Sequence, residues 1–396
     1  MFYISYGRIG RHAYRGLAGK GGGFRPSMVV YKYLQNAYFM RDHMSVANML
    51  GLASTALKSN FTKLDRPYKL NFAITYWCNS RCLTCNIWQM KPKGELSAEE
   101  IARFAAANNY FKWIELTGGE VFMRSDLVEI AKAFKQNSKK LYILTMPTNS
   151  LCNHALMEKK LREILQLGIP RVAITVSLDG YRELHDKIRG IPGNFDRAMD
   201  TFRMLQRLKK EYPNLFFVFG YTMSRFNQGK LKETVEAVMK ELPGVGYNDF
   251  HVNLGQISDN YYGNSDLDIR ANDAQVVEEI NWLIGKRSIQ PSVIQSIEGA
   301  FLRNLVDYAV TGKSPMRSRS MEASVFMDSY GKVYPSIMWN KEIGNVRDTG
   351  YSLEPLLGSE AAKSVREDIL NGREPNQWTS CEAYQSLVGN IPRLIR

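Results

Sequence analysis

Between residues 69 and 256 the sequence alternates short apolar stretches with longer amphipathic ones. The short stretches, such as KLNFAITYW at 69–77, are rich in branched and aromatic residues, which is typical of buried strands. The longer stretches have apolar residues at helical spacing, and Ser97 and Glu100 begin one of them at the spacing of a capping box. Six such alternations without a hairpin signal predict parallel strands joined by crossover helices. The sequence therefore predicts an α/β fold, either an open or closed β/α barrel or a doubly wound sheet.

The predicted strands end in polar or glycine-rich residues. In chain order the segments at their ends are YWCNSRC, TGGE, PTNS, SLDG, TMSRFN and NLGQ. In both architectures the carboxyl ends of parallel strands carry the loops that bind ligands, so we expect these segments to meet at one pocket. The individual polar residues there, for which turn formation is the alternative role, are Asn149, Thr222, Ser224, Asn253 and Gln256.

Three of the five cysteines lie within eight positions of one another. Cys78, Cys82 and Cys85 have C-x3-C-x2-C spacing, and this cluster favours metal ligation in a reducing compartment, the cytoplasm, over a disulfide framework. A loop this short can hold one side of a 4Fe-4S cluster and leave one iron open, whereas a structural zinc ion needs four ligands. A zinc site completed by a distant ligand and a chance group of free thiols are the alternatives.

The sequence CNSRCLTC after an apolar strand, followed by GGE, resembles the radical S-adenosylmethionine (radical SAM) superfamily. The resemblance covers residues 69–256 and implies a partial (β/α)6 TIM-like barrel. It also implies that Cys78, Cys82 and Cys85 each ligate one iron of a single 4Fe-4S cluster. The fourth iron of that cluster would chelate the amino and carboxylate groups of S-adenosyl-L-methionine.

Further residues match positions that bind this cofactor in the family. Gly118, Gly119 and Glu120 match the GGE segment, which accepts hydrogen bonds from the cofactor's ammonium, and glycines there would let the ligand approach the backbone. The expected cofactor-binding residues elsewhere are Asn149, Ser177, Asp179 and Arg189, with Ser177 and Asp179 facing the ribose and Arg189 meeting the carboxylate. A turn for Asp179 and a surface ion pair for Arg189 are the alternatives. Thr84 departs from the family, where the residue before the third cysteine is often apolar or aromatic and packs on adenine.

The activity implied by the resemblance is radical initiation. An electron from a donor such as flavodoxin or ferredoxin would reduce the cluster, and cleavage of the sulfonium would give methionine and a 5'-deoxyadenosyl radical. That radical would abstract a hydrogen atom from a small-molecule, lipid-linked or peptide substrate. The alternative is a noncatalytic iron–sulfur scaffold protein that retains the barrel.

The segment SVFMDSYGKVYPSIMWNKEIGNVRD resembles the SPASM or twitch extension of the same family, but most of its cluster ligands are missing. Ser336 stands where a cysteine is expected, and of the later ligands only Cys381 is present. Because one cysteine cannot hold a cluster, we expect no auxiliary cluster, and we expect Cys152 and Cys381 to be ordinary buried thiols.

The amino-terminal region is strongly basic. Residues 1–70 contain eleven Lys or Arg residues and two Asp residues, an excess of nine positive charges in a chain of net charge +13. Such a region can rest on an anionic membrane surface or bind an acidic partner. A solvated tail followed by covering helices and a targeting peptide are the alternatives.

The sequence thus predicts four regions and a cytoplasmic protein with peripheral membrane contact. They are a basic, aromatic, partly helical extension at 1–66, a core barrel at 67–260, a helical connection at 261–315 and a degenerate SPASM/twitch-like extension at 316–396. No apolar run is long enough to predict a membrane span. Nucleic acid is not expected as a partner, because the positive charge lies in one extension and no RNA-binding module follows it.

Overall fold

The computed structural model describes residues 46–288 and 292–390. The chain divides into two units, residues 1–46 and residues 47–396. Most of the basic extension predicted at 1–66, which is the region expected to contact a membrane, lies outside the described residues. Its last part is a helix, α1, which includes residues 46–58.

Six parallel strands follow α1, and a helix leads from each strand to the next, as the alternating pattern predicts. The strands are β1 (Lys69–Thr75), β2 (Trp113–Gly118), β3 (Ile143–Thr148), β4 (Arg171–Leu178), β5 (Leu215–Met223) and β6 (Phe250–Leu254). The helices between them are α2 (Ala98–Ala107), α3 (Leu127–Asn137), α4 (His154–Gln166), α5 (Arg182–Arg189), α6 (Asn194–Glu211) and α7 (Leu231–Glu241). The short helix α5 is the one element among these that the sequence pattern does not predict.

The strand order separates the two architectures that the sequence leaves open. Within the sheet β6, β5, β4, β3, β2 and β1 lie side by side in consecutive order, all parallel. A doubly wound sheet would reverse its order at a switch point, and this sheet does not. The fold is therefore the predicted partial β/α barrel, with an open rather than a closed sheet.

The carboxyl-terminal segment continues the same sheet on the other side of β1. The strand β7 (Ser324–Met327) pairs in parallel with β1, and β8 (Lys332–Tyr334) and β9 (Gly344–Asn345) add to it in antiparallel fashion. The remaining helices are α8 (Asp273–Lys286), α9 (Val293–Thr311), α10 (Glu354–Gly358), α11 (Glu360–Leu370) and α12 (Ser380–Val388). The SPASM-like hairpin thus extends the barrel sheet.

Alternate residues of each strand face the two sides of the sheet. On β4, Val172, Ile174 and Val176 are fully buried under the outer helices, so Thr175 and Ser177 face the concave side. The core between strands and helices is packed with aromatic rings, such as Phe72, whose ring centre is 6.3 Å from that of Phe104. None of the described helices is both long enough and apolar enough to cross a membrane.

A local sequence signal explains where the helix α2 begins. Ser97 and Glu100 form the predicted capping box at the start of α2, because each side chain bonds the other's backbone N–H, at 2.9 and 3.2 Å.

Candidate active site

The three clustered cysteines lie on an irregular loop that follows β1. The last turn of α5 holds this loop through its free carbonyls: Arg189 O accepts from Arg81 N at 2.9 Å, and Ile188 O accepts from Leu83 N at 2.9 Å. Gly190 ends α5 with a φ of 68°, and a Cβ at this position would lie 2.6 Å from Arg81 O. The close contact between α5 and the loop therefore requires glycine.

Each cysteine sulfur of the loop has a hydrogen-bonding group beside it. The pairs are Asn149 Nδ2 with Cys78 at 3.7 Å, Arg189 Nη1 and Ser80 Oγ with Cys82 at 3.6 and 3.1 Å, and Ile87 N with Cys85 at 3.4 Å. Donors of this kind stabilise thiolates and tune iron–sulfur clusters. The donor set therefore fits three thiolate ligands of a cluster. In the described ranges no group of three or more His, Cys, Asp or Glu converges on a single-ion site.

Burial controls the charge of two of these thiols, Cys78 and Cys85. It raises the pKa of Cys78 to about 11 and that of Cys85 to about 12, so both are protonated at neutral pH in the metal-free protein. Ligation to iron requires the thiolate, and metal binding therefore releases these protons.

The glycines of TGGE let two backbone segments approach each other. A Cβ on Gly118, whose φ is 124°, would lie 2.0 Å from Thr75 O, and a Cβ on Gly119 would lie 2.1 Å from Trp77 O. The end of β2 instead forms two hydrogen bonds with this segment, from Gly119 N to Thr75 O at 2.7 Å and from Glu120 N to Trp77 O at 2.8 Å. We expected these glycines to make room for a ligand, and the neighbour that excludes a side chain here is the backbone leading to Cys78.

The Glu120 carboxylate ties the end of β2 to the end of β3. It accepts hydrogen bonds from Asn149 N at 2.6 Å, Thr148 Oγ1 at 3.1 Å and Phe122 N at 3.2 Å, and it is almost fully buried. Burial raises its pKa to about 7, against the effect of these donors.

Asn149 connects β3 to the cysteine loop. Its Nδ2 donates to Asn79 Oδ1 at 2.9 Å as well as to Cys78, and its carbonyl accepts from Asn194 Nδ2 at 2.8 Å. Asn149 therefore lies beside the Cys78 sulfur, and its role in cofactor binding stays a prediction.

Asp179 and Arg189 form a buried ion pair with each other. Arg189 Nε lies 2.7 Å from Asp179 Oδ2, and the Arg189 guanidinium also reaches Cys82. The pair joins the end of β4 to the cysteine loop, and it replaces the surface ion pair considered as an alternative. Ser177 lies on the half-exposed concave face of β4, in register with Gly220 of β5.

His185 lies on α5 and supports the backbone turn that follows β4 at Asp179. Its side chain does not reach the pocket. Its Nδ1 accepts a hydrogen bond from Asp179 N at 3.0 Å, so the imidazole is unprotonated at that atom. Burial lowers its pKa to about 3, and the ring is neutral at physiological pH.

Comparison with known proteins supports the resemblance to the radical SAM superfamily. The family model described as the radical SAM superfamily matches residues 72–238. Residues 72–238 therefore match a radical SAM domain. Similar curated proteins include an AdoMet-dependent heme synthase from Methanosarcina barkeri, 30% identical over 47% of this chain and 51% of that protein. Another is the antilisterial bacteriocin subtilosin biosynthesis protein AlbA from Bacillus subtilis, 29% identical over 38% of this chain and 33% of that protein. The matches thus span about half or less of these relatives.

Solved structures share the fold at low sequence identity. The structure of anSMEcpe with bound AdoMet and the Kp18Cys peptide has a TM-score of 0.54 at 15% identity and covers 83% of this chain and 98% of that one. SuiB from Streptococcus suis, bound to its precursor peptide SuiA, has a TM-score of 0.51 at 16% identity and covers 90% and 77%. These likenesses confirm the predicted fold class.

The sheet has a second group of polar residues near the amino-terminal ends of β1 and β2, which the sequence does not predict. We call Lys69, Trp113, Glu115 and Cys381 the floor cluster. Lys69 Nζ lies 3.0 Å from Glu115 Oε2 and 4.2 Å from the Trp113 ring centre, and Cys381 Sγ donates to Glu115 Oε1 at 3.2 Å. The Cys381 thiol thus donates a hydrogen bond to a carboxylate, whereas the sequence predicts an ordinary buried thiol. The signal available in the sequence was the pair of polar residues, Lys69 and Asn71, at alternate positions of an otherwise apolar strand.

Aromatic rings lie between the cysteine loop and the floor cluster. The Tyr261 hydroxyl bonds Thr117 Oγ1 at 2.7 Å and accepts from Gly118 N at 3.1 Å, and its ring packs edge-on against Tyr262 and Phe326. Cys78, Cys85 and Cys381 all border this aromatic group. The concave side of the barrel is therefore polar at its floor and apolar beside the thiols.

Proposed function

We propose that this protein is a radical SAM enzyme that holds one 4Fe-4S cluster through Cys78, Cys82 and Cys85. S-adenosyl-L-methionine would bind beside the cluster, and the substrate would enter the concave side of the barrel. The observation that carries the proposal is the cysteine loop itself: three thiols, each with a hydrogen-bonding partner, at the carboxyl ends of parallel strands. A radical SAM domain over the same strands supports it.

When both groups are bound, they supply reductive cleavage of the cofactor and abstraction of a hydrogen atom from the substrate. The residues of this chain position and shield that chemistry. Arg189 places a positive charge beside Cys82, and the buried Asp179 carboxylate holds the guanidinium in orientation. Tyr261 and Tyr262 line the space next to the thiols with apolar surface, which excludes water.

The remaining cofactor contacts are part of the same proposal. The residues assigned to S-adenosyl-L-methionine are Gly118, Gly119, Glu120, Asn149, Ser177, Asp179 and Arg189. Their support is that each lies at or next to the carboxyl end of a strand or in contact with the cysteine loop. An electron donor such as flavodoxin or ferredoxin would reduce the cluster.

The carboxyl-terminal segment supports the proposal of one cluster per chain. Ser336 is fully buried, and its Oγ lies 3.4 Å from Gln377 Oε1. The Cys381 thiol donates a hydrogen bond to the Glu115 carboxylate. Neither residue has a set of thiolate partners in the described part of that segment. Iron analysis after reconstitution should give about four irons per chain, and about eight would contradict this assignment.

The relatives suggest two substrate classes. AlbA and the sporulation killing factor maturation protein SkfB, both from Bacillus subtilis, are named for peptide products, whereas others are named heme synthase or GTP 3',8-cyclase. We propose a peptide as the first class to test and a small or lipid-linked molecule as the second. Comparing metabolites and peptides between a deletion strain and its parent would separate them.

The experiment that tests the function is anaerobic reconstitution followed by dithionite and S-adenosyl-L-methionine. We expect 5'-deoxyadenosine and methionine by mass spectrometry, and an electron paramagnetic resonance signal of the reduced cluster that changes when the cofactor is added. Cys82→Ala should abolish the cluster, whereas Cys152→Ala, a cysteine outside the loop, should retain it. An electron paramagnetic resonance signal that does not change when the cofactor is added, together with no 5'-deoxyadenosine, would favour the noncatalytic scaffold.

A further inference from the structure

The helix α1 exposes most of its large apolar residues to solvent, although Leu52 packs against the buried cluster of Leu64, Tyr68 and Ala323. Met49, Leu50, Ala53 and Leu57 fall within about 100° of one another around the helix axis at its usual periodicity. All four are exposed to solvent, Leu50 by 59% and Leu57 by 50%. We call these four residues the α1 face.

The opposite side of α1 is fixed to the barrel by polar contacts. Lys112 Nζ donates to Gly51 O at 2.7 Å and also bonds Thr55 Oγ1, and Asn48 Nδ2 donates to Lys139 O at 2.9 Å. Ala56 lies on this buried side. The helix therefore cannot simply rotate to bury its apolar residues, since these contacts would be lost. An exposed apolar patch that the fold maintains in this way marks an interaction surface.

A cationic cavity lies at the carboxyl-terminal end of this face. It has a volume of about 350 Å³ and is bordered by exposed apolar side chains, Phe61 at 82% and Leu370 at 66% exposure. We call it the arginine cavity. Its charged lining residues are Lys63, Arg317, Arg319, Arg366 and Glu322.

The cavity has more positive charge than its own carboxylate can neutralise. Glu322 pairs with Arg319 at 3.0 Å and with Arg317 at 3.6 Å, whereas Lys63 and Arg366 form no ion pair within the described ranges. Arg366 donates to Leu357 O, but its Nε is buried without a hydrogen-bond partner among the described residues. Burial also lowers the pKa of Arg366, and the nearby Glu322 carboxylate only partly offsets this effect. The cavity therefore favours an anionic ligand.

We propose that the α1 face and the arginine cavity together dock the protein on an anionic lipid bilayer. The α1 face would lie in the plane of the interface with its apolar side chains among the acyl chains, as amphipathic interfacial helices do. The cavity would take the phosphate of a lipid headgroup, and Phe61 and Leu370 would reach the acyl region beside it. The apolar residues alone would suit a second copy of the chain, and the adjacent excess of cations favours the bilayer. This inference is independent of the proposed function.

The test is cosedimentation of the full chain with vesicles of phosphatidylcholine alone and of equal parts phosphatidylcholine and phosphatidylglycerol. We expect binding to the mixed vesicles, weakened by salt, and little binding to phosphatidylcholine. Lys63→Gln with Arg366→Gln should weaken binding by about 25-fold, at about fivefold for each cation. Leu50→Gln with Leu57→Gln should weaken it by at least about tenfold.

Matched variants control for charge and hydrophobicity. Lys232→Gln with Lys240→Gln removes two exposed cations on α7, and Leu156→Gln with Val310→Gln removes two exposed apolar side chains elsewhere. Both should bind as the wild type does, and circular dichroism melting should show that every variant is folded.

Several outcomes would overturn the proposal. The proposal is wrong if the full chain does not bind the mixed vesicles. It is also wrong if the α1 and cavity variants bind as the wild type does, because the binding would then belong to another part of the chain. Binding of glycerol phosphate in the cavity by a chain that does not bind the mixed vesicles would show a site for a free phosphate. A dimer that the α1 variants convert to a monomer in light scattering, without vesicle binding, would show a self-association surface.

Discussion

Gly119→Ala tests whether backbone contact between β2 and the cysteine loop sets the loop's position. The added Cβ would lie 2.1 Å from Trp77 O and 2.6 Å from Trp77 C, so the segment before Cys78 must move by about 1 Å to reach ordinary contact distance. That movement breaks the hydrogen bonds from Gly119 N to Thr75 O and from Glu120 N to Trp77 O. At about 1–2 kcal/mol for each buried bond, we expect roughly 2–4 kcal/mol less free energy of unfolding.

Urea denaturation and iron content after anaerobic reconstitution measure the two consequences separately. We expect Gly119→Ala to lower the denaturation midpoint and to reduce the iron bound per chain, because Cys78 follows the displaced residue. Gly285→Ala is the matched control: its Cβ meets nothing within 4 Å on α8, and alanine there should stabilise the helix by about 0.5–1 kcal/mol. A Gly119→Ala protein with the stability and iron content of the wild type would refute the reasoning.

Two further predictions concern buried charges. Asp179→Asn leaves the Arg189 guanidinium without its counter-charge and should lower the free energy of unfolding by roughly 3 kcal/mol in urea denaturation, whereas Asp200→Asn, on the exposed side of α6, should have little effect; equal losses would show that the buried pair has no special role. Burial raises the pKa of Glu382 from 4.5 to about 7, so the wild type is stabilised relative to Glu382→Gln below about pH 4.5 and loses that advantage as pH rises through about 7. Denaturation of the metal-free proteins at about pH 5 and about pH 8 measures this difference, and a difference that does not change with pH would contradict it.

The sequence predicts most of the barrel because periodicity and burial agree along it. Strands such as β1 and β4 are continuous or alternating apolar runs, and their ends coincide with the polar segments at which chemistry was expected. The capping box at Ser97 is a local signal, and it is confirmed for the same reason. The sheet order could not be read from periodicity, because both candidate architectures repeat the same strand and helix unit.

The partners of the site residues could not be predicted, because their hydrogen bonds and ion pairs join different elements of the fold. The Glu120 carboxylate, after β2, accepts a hydrogen bond from Asn149 N, after β3. Asp179, after β4, forms an ion pair with Arg189 at the end of α5. A motif gives the residue type and its place at a strand end, but not which neighbour uses its polar atoms. The floor cluster was missed for the same reason, since Glu115 and Cys381 are 266 positions apart.

The carboxyl-terminal extension has a structural role that does not depend on auxiliary cluster ligands. Its strand β7 pairs with β1 and removes an open edge directly beside the strand that leads to the cysteine loop. Its helix α12 supplies Cys381 O as an acceptor for the fully buried ammonium of Lys69 at 2.7 Å, and Glu382 as an acceptor for Asn71 at 2.9 Å. Because a buried cation or amide without partners is strongly destabilising, these contacts would oppose loss of the extension even where its cysteines are absent. The retained scaffold and the missing ligands are therefore consistent with each other.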